Sequence, residues 1–226
     1  EQQLGVKLFQ RHSRGYTATE AGQDLLLVAQ ATDDQFTQLV GRIKGRGDAV
    51  SGDLVVTSLA SVSPRLTPTL ARFQASYPDV TVRYLTGDKV LRLEYGEAHV
   101  AVRAGRAPEN PDNVVQPFVS QQISLYASND YVAERGIPSS LDDLARHSFV
   151  TTDNLESRAP FMKWLLARIA PDQIAFRASD ARAIRDAIVA GAGIGFVSCW
   201  EAERFPSLQQ LFEPQTEWSA PLWLVT

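Results

Sequence analysis

Apolar and small residues recur alternately three and four positions apart between residues 18 and 45, which predicts one long amphipathic helix. Thr19 is a suitable N-cap, and the segment KGRG at 44–47 supplies basic residues and glycines at the predicted end. The stripe is as narrow as a coiled-coil seam and consists of Ala18, Gly22, Leu25, Ala29, Thr32, Phe36, Leu39 and Ile43. We interpret the helix as a dimerisation element, with packing against its own domain as the alternative. The polar stretch at 45–52 that follows is interpreted as a hinge.

From residue 52 onward the pattern changes to alternating strands and helices. Residues 52–58 and 80–86 are predicted strands, and 63–79 between them is a predicted helix with Ser63 as N-cap and Pro64 in its first turn. Further strands are predicted at 99–105, 114–119, 123–128, 148–152, 174–178 and the end of 181–198, and further helices at 89–96, 129–136, 140–145, 161–170 and the start of 181–198. The alternation predicts an α/β fold with mostly parallel sheets, whose ligands bind at the C-terminal ends of strands.

Composition is that of a globular protein. The 226 residues are 44% hydrophobic and carry a formal net charge of −4, which argues against a chain that coats nucleic acid along its length. A single cysteine excludes an internal disulfide, and no apolar run reaches the roughly 18 residues of a membrane span. We therefore expect a cytoplasmic protein with no membrane partner. Because residue 1 is Glu and the sequence ends within the apolar run PLWLVT, we also expect a fragment of a longer protein.

Catalytic and metal-binding patterns are sparse. His12, His99 and His147 lack the spacing of metal ligands, and the serines lack a histidine and an acid in a recognisable hydrolase arrangement. Cys199 has no basic neighbour in sequence and no second cysteine, so it is a weak candidate for a redox sensor. The glycines of AGAGIGFVS at 190–198 lack the order of a nucleotide-binding loop and are expected to permit close packing. We expect no catalytic residues, no metal, no cofactor and no enzyme activity.

The first 22 residues resemble the end of the winged helix-turn-helix domain of LysR-type transcriptional regulators. Ala18 departs from the family pattern, which usually has leucine there, whereas the matching positions are Glu1, Leu4, Gly5, Leu8, Phe9, Arg11, Arg14, Thr19, Ala21 and Gly22. Blocks such as LVVTS, VAVRAG and AGAGIGFVS are similar to successive blocks of the effector-binding domain of that family. The resemblance implies a two-lobed fold like that of periplasmic binding proteins, and it implies that this chain lacks most of the N-terminal helix-turn-helix.

The resemblance also implies a division of the chain into four parts: 1–17 (end of the recognition helix and wing), 18–51 (linker helix and hinge), 52–122 (first effector subdomain) and 123–226 (second effector subdomain). In the wing, Arg11, Ser13 and Arg14 are candidate contacts to promoter DNA, with a solvated surface as the alternative. The linker helix is expected to form a homodimer or homotetramer through Leu25, Ala29, Thr32, Phe36, Leu39 and Ile43.

A small-molecule effector is expected between the two lobes, and its candidate contacts are Ser58, Ser61, Ser63, Arg103, Arg106, Thr151 and Thr152. The serines lead into a helix N-terminus, where hydroxyls and free backbone N–H groups suit an anion, although Ser63 could serve only as a cap. The arginines follow a buried strand and could meet a carboxylate, with a surface ion pair as the alternative. The threonines end another strand and could be ordinary strand residues. These groups favour a small organic anion; a two-lobed solute-binding protein without a DNA-binding role is the alternative function.

Overall fold

The computed structural model describes residues 1, 3–12, 15–43, 50–87 and 89–226. The chain begins with an antiparallel hairpin of β1 (Phe9–His12) and β2 (Gly15–Ala18), followed by the long helix α1 (Glu20–Ile43). The Thr19 Oγ1 atom accepts a hydrogen bond from the Gly22 N–H at 3.1 Å and donates one to the Lys7 carbonyl at 2.7 Å. Thr19 therefore caps α1, as predicted, and the same hydroxyl fixes the helix to the segment before the hairpin.

The remaining elements alternate between strands and helices, as predicted. In chain order they are β3 (Gly52–Ser58), α2 (Ser63–Ser76), β4 (Val80–Thr86), β5 (Val100–Ala104), β6 (Val115–Gln121), β7 (Ile123–Ser128), α3 (Asn129–Arg135), β8 (Phe149–Thr152), α4 (Pro160–Leu166), β9 (Ile174–Ala178), α5 (Ala181–Val189), β10 (Gly195–Ser198), α6 (Cys199–Ala202), β11 (Leu208–Gln210) and β12 (Ala220–Val225). The helices predicted at 89–96 and 140–145 are 3₁₀ turns, Leu93–Tyr95 and Asp142–Arg146. Every helix in the described ranges is too short or too polar to cross a membrane.

The first lobe contains a five-stranded sheet in the order β4-β3-β5-β12-β6. Strand β3 pairs in parallel with β4 and β5, whereas β12 lies antiparallel between β5 and β6. The last strand of the chain therefore belongs to the first lobe, although the sequence placed all of 123–226 in the second. The predicted C-terminal limit of the second subdomain, residue 226, is therefore wrong. The pairing of β12 with β5 joins residues more than a hundred positions apart, which local sequence patterns do not reveal.

The second lobe repeats this strand order. Strands β10, β7 and β11 form an antiparallel sheet, and β8 pairs in parallel with β9. Two backbone hydrogen bonds, Val150 N–H to the Ile194 carbonyl and Ile194 N–H to the Ser148 carbonyl, both 2.8 Å, place β8 beside the start of β10. The resulting order, β9-β8-β10-β7-β11, matches that of the first lobe. Both sheets are mixed, so the prediction of mostly parallel sheets is wrong.

Two crossings join the lobes, one between β6 and β7 and one between Trp218 and β12. Trp218 is fully buried in the second-lobe core, where its ring packs edge-on against Trp164 and Phe196. Trp200 of α6, also from the second lobe, packs across the junction against the first-lobe core around Val62, Val102 and Leu222. This indole stabilises the mutual arrangement of the lobes.

Candidate functional site

The ends of the parallel strands carry the candidate effector site. In α/β sheets, ligands bind beyond the carboxyl ends of parallel strands, because the following loops and helix N-termini converge there. In this chain those ends are Ser58 of β3, Ala104 of β5, Thr152 of β8 and Ser198 of β10. Residues Ala60–Val62, which follow β3, form a 3₁₀ turn that contacts α5 of the second lobe. The site therefore draws its residues from both lobes, at the place where they meet.

Ser58 is buried at the end of β3 and is 2% exposed. Its hydroxyl donates to the Leu59 carbonyl at 2.9 Å and lies 2.6 Å from the Tyr84 hydroxyl of β4. Burial raises the pKa of Tyr84, so the phenol stays protonated at neutral pH. Because the Ser58 proton is already committed to a carbonyl, Tyr84 must donate in this pair. Ser58 thus orients Tyr84, a polar residue that the sequence analysis did not select.

Ser61 and Ser63 differ in their roles. Ser61 Oγ accepts a hydrogen bond of 3.1 Å from Gln121 Nε2, and Gln121 is the last residue of β6 before the chain enters the second lobe. Ser63 is the first residue of α2, and the N-cap is Val62, which makes no side-chain cap. The prediction of Ser63 as the N-cap is wrong: the 3₁₀ turn runs directly into α2, and Ser63 has helical backbone angles (φ −56°, ψ −35°). A serine in that conformation cannot fold its hydroxyl onto the next N–H groups.

Arg103 and Arg106 have different surroundings. The half-buried Arg103 lies on β5, and its Nη2 donates to the Leu91 carbonyl at 2.5 Å. Burial lowers its pKa below the ordinary value of an arginine, an effect that the charge of Glu94 partly opposes, so the guanidinium remains charged and incompletely solvated. Arg106 is exposed and forms a 2.5 Å ion pair with Glu109. Of the two, only Arg103 offers a partly desolvated cation that would gain from an anionic ligand.

Three hydroxyl residues lie at the strand ends of the second lobe. Thr151 is fully buried, and its hydroxyl donates to the Thr152 carbonyl at 3.3 Å, whereas Thr152 Oγ1 accepts from the Asn154 N–H at 3.2 Å. Ser198 is 4% exposed, and in the described part of the chain its hydroxyl has no hydrogen-bond partner. The sequence analysis treated Ser198 only as the end of a strand. A buried unpaired hydroxyl is costly, so Ser198 is a further candidate for ligand contact.

The candidate DNA-binding residues lie on the hairpin. Arg11 is exposed on β1, where it pairs with Tyr16 of β2, which is 72% exposed. Ser13 and Arg14 lie outside the described residues. Gly22 of α1 packs against the segment before the hairpin so closely that an added Cβ would lie 2.0 Å from the Leu8 carbonyl oxygen. The hairpin is therefore seated on the first turn of α1 through backbone contacts.

Helix α1 presents two different faces. Towards the first lobe, Asp24, Leu25, Leu27 and Val28 line a groove of about 270 Å³ together with Arg92 and Tyr95. Of the predicted seam, Gly22 is buried and Leu25 belongs to this groove, whereas Ala29, Thr32 and Phe36 are exposed and the side chains of Leu39 and Ile43 lie outside the described part. At about 100° per residue, Ala29 and Phe36 lie roughly a quarter to two fifths of a turn from Asp24 and Val28. Beyond Leu25, the helix can therefore contact a second helix while its first turns contact its own lobe.

Within the described residues, no group of three or more His, Cys, Asp or Glu side chains is arranged to hold a metal ion. Cys199, the single cysteine, is half-buried at the start of α6. Its neighbourhood includes the Tyr126 phenol, whose pKa is raised by burial and by hydrogen bonding with Cys199.

The polar groups at the strand ends supply hydrogen bonds and one cation in a partly buried setting, which is suited to binding a ligand.

A two-lobed α/β domain with polar strand ends at the lobe junction has the architecture of a ligand-binding domain. Residues 47–226 match the family profile described as LysR substrate binding domain. The chain therefore belongs to the LysR family of transcriptional regulators.

Several curated regulators are similar to this chain. It is 38% identical over 118 residues to the HTH-type transcriptional regulator IlvY of Escherichia coli K12, a match that covers 50% of this chain and 39% of IlvY. It is 27% identical over 201 residues to the HTH-type transcriptional repressor PA14_22550 of Pseudomonas aeruginosa UCBPP-PA14, covering 86% and 62% of the two chains. The chain thus spans less than two thirds of the length of these relatives.

Solved structures share the fold. A structure of CrgA, a LysR-type regulator from Neisseria meningitidis, has a TM-score of 0.66 at 22% identity and covers 99% of this chain and 78% of that one. Full-length CbnR complexed with its target DNA has a TM-score of 0.64 at 23% identity, with 99% and 79% coverage. These likenesses extend over the hairpin, α1 and both lobes, and they confirm the predicted two-lobed fold.

Proposed function

We propose that this chain is the sensory and dimerising part of a cytoplasmic DNA-binding regulator that responds to a small organic anion bound between its lobes. The observation that carries the proposal is the partly buried Arg103, whose only acceptor among the described residues is a backbone carbonyl. Ser61 and Gln121 supply neutral hydrogen-bonding groups at the crossing into the second lobe, and Ser198 pairs with Ile123 just beyond it. A carboxylate would offset the desolvation of the guanidinium and use these hydroxyl and amide groups for orientation.

A thermal-shift screen against carboxylates, aromatic acids, amino acids and sugars tests this proposal. At one hundred times its dissociation constant, a bound carboxylate is expected to add about 2.7 kcal/mol of stability, or roughly 5–10 °C for a domain of this size. Arg103→Ala should weaken binding by about tenfold to a hundredfold, because a charge-assisted hydrogen bond contributes about 1.5–3 kcal/mol. Ser61→Ala should weaken it less, by up to about tenfold.

Arg106→Ala is the matched control, since it removes the same charge from an exposed residue that pairs with Glu109 at the surface. This variant should bind the carboxylate as the wild type does. If only neutral compounds bind, or if both arginine variants lose affinity equally, the anion site is misplaced.

We further propose that α1 mediates dimerisation, as the exposed row of Ala29, Thr32 and Phe36 supports. Phe36 is 62% exposed, an unusual position for a large aromatic side chain unless a second surface covers it. Pairing of two such helices would present two hairpins, with Arg11 on each, to two half-sites on promoter DNA.

Phe36→Glu should weaken the dimer by about tenfold or more, because two carboxylates would be buried in one symmetric interface. Sedimentation equilibrium across a concentration series measures the change. Gln30→Glu is the control, since it places the same charge on the same helix about 120° from Phe36. Equal dimer affinities for the two variants would exclude the seam as the interface.

A further inference from the structure

Arg92 connects the first lobe to α1. Its Nη2 donates to the Asp24 carboxylate of α1 at 2.9 Å, and its guanidinium carbon lies 4.6 Å from the centre of the Tyr95 ring. Two further hydrogen bonds fix the Arg92 backbone. The Glu97 carboxylate, which is 8% exposed, accepts a hydrogen bond from the Arg92 N–H at 2.6 Å. The Glu97 N–H donates a hydrogen bond to the Arg92 carbonyl at 3.1 Å. Arg92 is therefore fixed at its backbone by the lobe and reaches the helix with its side chain.

Arg103 holds the residue next to this contact. Its Nη2 donates to the carbonyl of Leu91, the residue immediately before Arg92. This bond spans twelve positions of sequence and links the end of β5 to the segment that precedes the 3₁₀ turn Leu93–Tyr95. A continuous set of contacts thus leads from Arg103 through the Leu91–Arg92 backbone to Asp24 of α1.

We propose that Arg103 and Arg92 form a relay that couples occupancy of the effector site to the position of α1 relative to the first lobe. The proposal rests on the proposed function, because it takes the Arg103 guanidinium as the group that the ligand contacts. The relay has two alternative arrangements: Arg103 bonded to the Leu91 carbonyl, or Arg103 turned to the carboxylate of a ligand. A ligand that binds only the second arrangement shifts the population between them.

The direction of the effect follows from hydrogen-bond strength. A bond from a guanidinium to a carboxylate is stronger than one to a neutral carbonyl, so a bound anion would draw Arg103 away from Leu91. The Leu91–Arg92 backbone would then lose one of the contacts that position it, and the ion pair with Asp24 would weaken. Arg92 and Asp24 are 45% and 50% exposed at their side chains, so loss of their pairing should lower the ratio of docked to undocked α1 by about two- to fivefold.

Distances between two spin labels, one on α1 and one on the first lobe, measure this population without a ligand. Gln30→Cys and Gln74→Cys place the labels at exposed sites, in a Cys199→Ser background that removes the native thiol, with unlabelled protein added to dilute contacts between copies. Arg92→Ala and Asp24→Ala should each lower the ratio of the main distance population to the remaining distances by about two- to fivefold. Arg103→Ala should produce the same change, and the Arg92→Ala/Arg103→Ala double variant should go no further than Arg92→Ala alone.

Arg106→Ala again serves as the matched control and should leave the distance distribution unchanged. Fully additive effects of Arg92→Ala and Arg103→Ala, or an unchanged distribution in Arg103→Ala, would overturn the relay. This result is distinct from failure of the proposed function, because the label distances are measured without ligand and carboxylate binding is measured separately. If a carboxylate from the screen binds but does not change the label distances, the relay would also be overturned, whereas the proposed anion site would still be supported.

Discussion

Replacing Leu222 with alanine is expected to lower the free energy of unfolding by about 2–5 kcal/mol, with the loss concentrated in the first lobe. Leu222 is 1% exposed on β12, where it forms a core cluster with Val62 and Val102. Strand β12 lies between β5 and β6, so a cavity there weakens the middle of the sheet rather than its edge. Truncation of a buried leucine removes transfer free energy and leaves a space that its neighbours fill only in part.

Hydrogen exchange followed residue by residue measures where the protection is lost. Amides of β5 and β6 should exchange faster in Leu222→Ala, whereas those of β7 and β10 should keep their protection. Leu85→Ala is the matched control, since Leu85 lies on the edge strand β4 of the same sheet and is 40% exposed. It should cost less than about 1 kcal/mol. Equal loss of protection in both lobes would contradict the assignment of β12 to the first.

Substitution of Gly193 by alanine should destabilise the second lobe by about 2–4 kcal/mol. An added Cβ would lie 2.6 Å from the Ser148 carbonyl oxygen and 2.9 Å from its carbonyl carbon, both backbone atoms that cannot move aside freely. The Gly193 φ of 156° also lies in the region that favours glycine. The displaced carbonyl is the acceptor of the Ile194 N–H, one of the two bonds that join β8 to β10. The substitution therefore strains the contact that completes the second sheet.

The loss of stability in Gly193→Ala should lower the midpoint of thermal unfolding by roughly 4–15 °C. Each kcal/mol shifts the midpoint of a domain this large by about 2–4 °C. Gly87→Ala is the control, because its would-be Cβ has no heavy atom within 4 Å among the described residues other than its chain neighbours. Its midpoint should stay within about 2 °C of the wild type. Equal midpoints of thermal unfolding for the two variants would contradict the close approach of Gly193 to Ser148.

Features encoded by neighbouring residues were predictable from the sequence. The capping of α1 by Thr19 and the close packing at Gly193 and Gly195 both depend on residue types whose effects are local or steric. The cap expected at Ser63 failed because the preceding turn was itself helical, which changes the backbone angles that a serine needs to cap. A single turn of 3₁₀ helix is too short to leave a periodic pattern.

The candidate site shows why residue type alone is insufficient. Arg103 and Arg106 lie three positions apart and were equally plausible anion contacts, yet one is half-buried and the other pairs with Glu109 at the surface. The difference in burial between the two arginines depends on the segments that pack over β5. One of these is the segment at Leu91, whose carbonyl accepts a hydrogen bond from Arg103. Likewise, Tyr84 and Gln121 reach the site through pairings with Ser58 and Ser61 across 26 and 60 positions of sequence. Such partners follow from strand order, which no local pattern specifies.

The two crossings between the lobes have a mechanical consequence. Residues 123–218 leave and rejoin the first lobe at only two points, beside Gln121 and before β12. Two fixed points define a line, so the large-amplitude motion left to two rigid bodies joined in this way is a swing about that line. Ser198 pairs with Ile123, and Ala104 pairs with Leu222, so these two strand ends lie beside the crossings and move little in such a swing. A ligand held there would contact both lobes close to the axis, and a mutation at the crossings would change how far the lobes open.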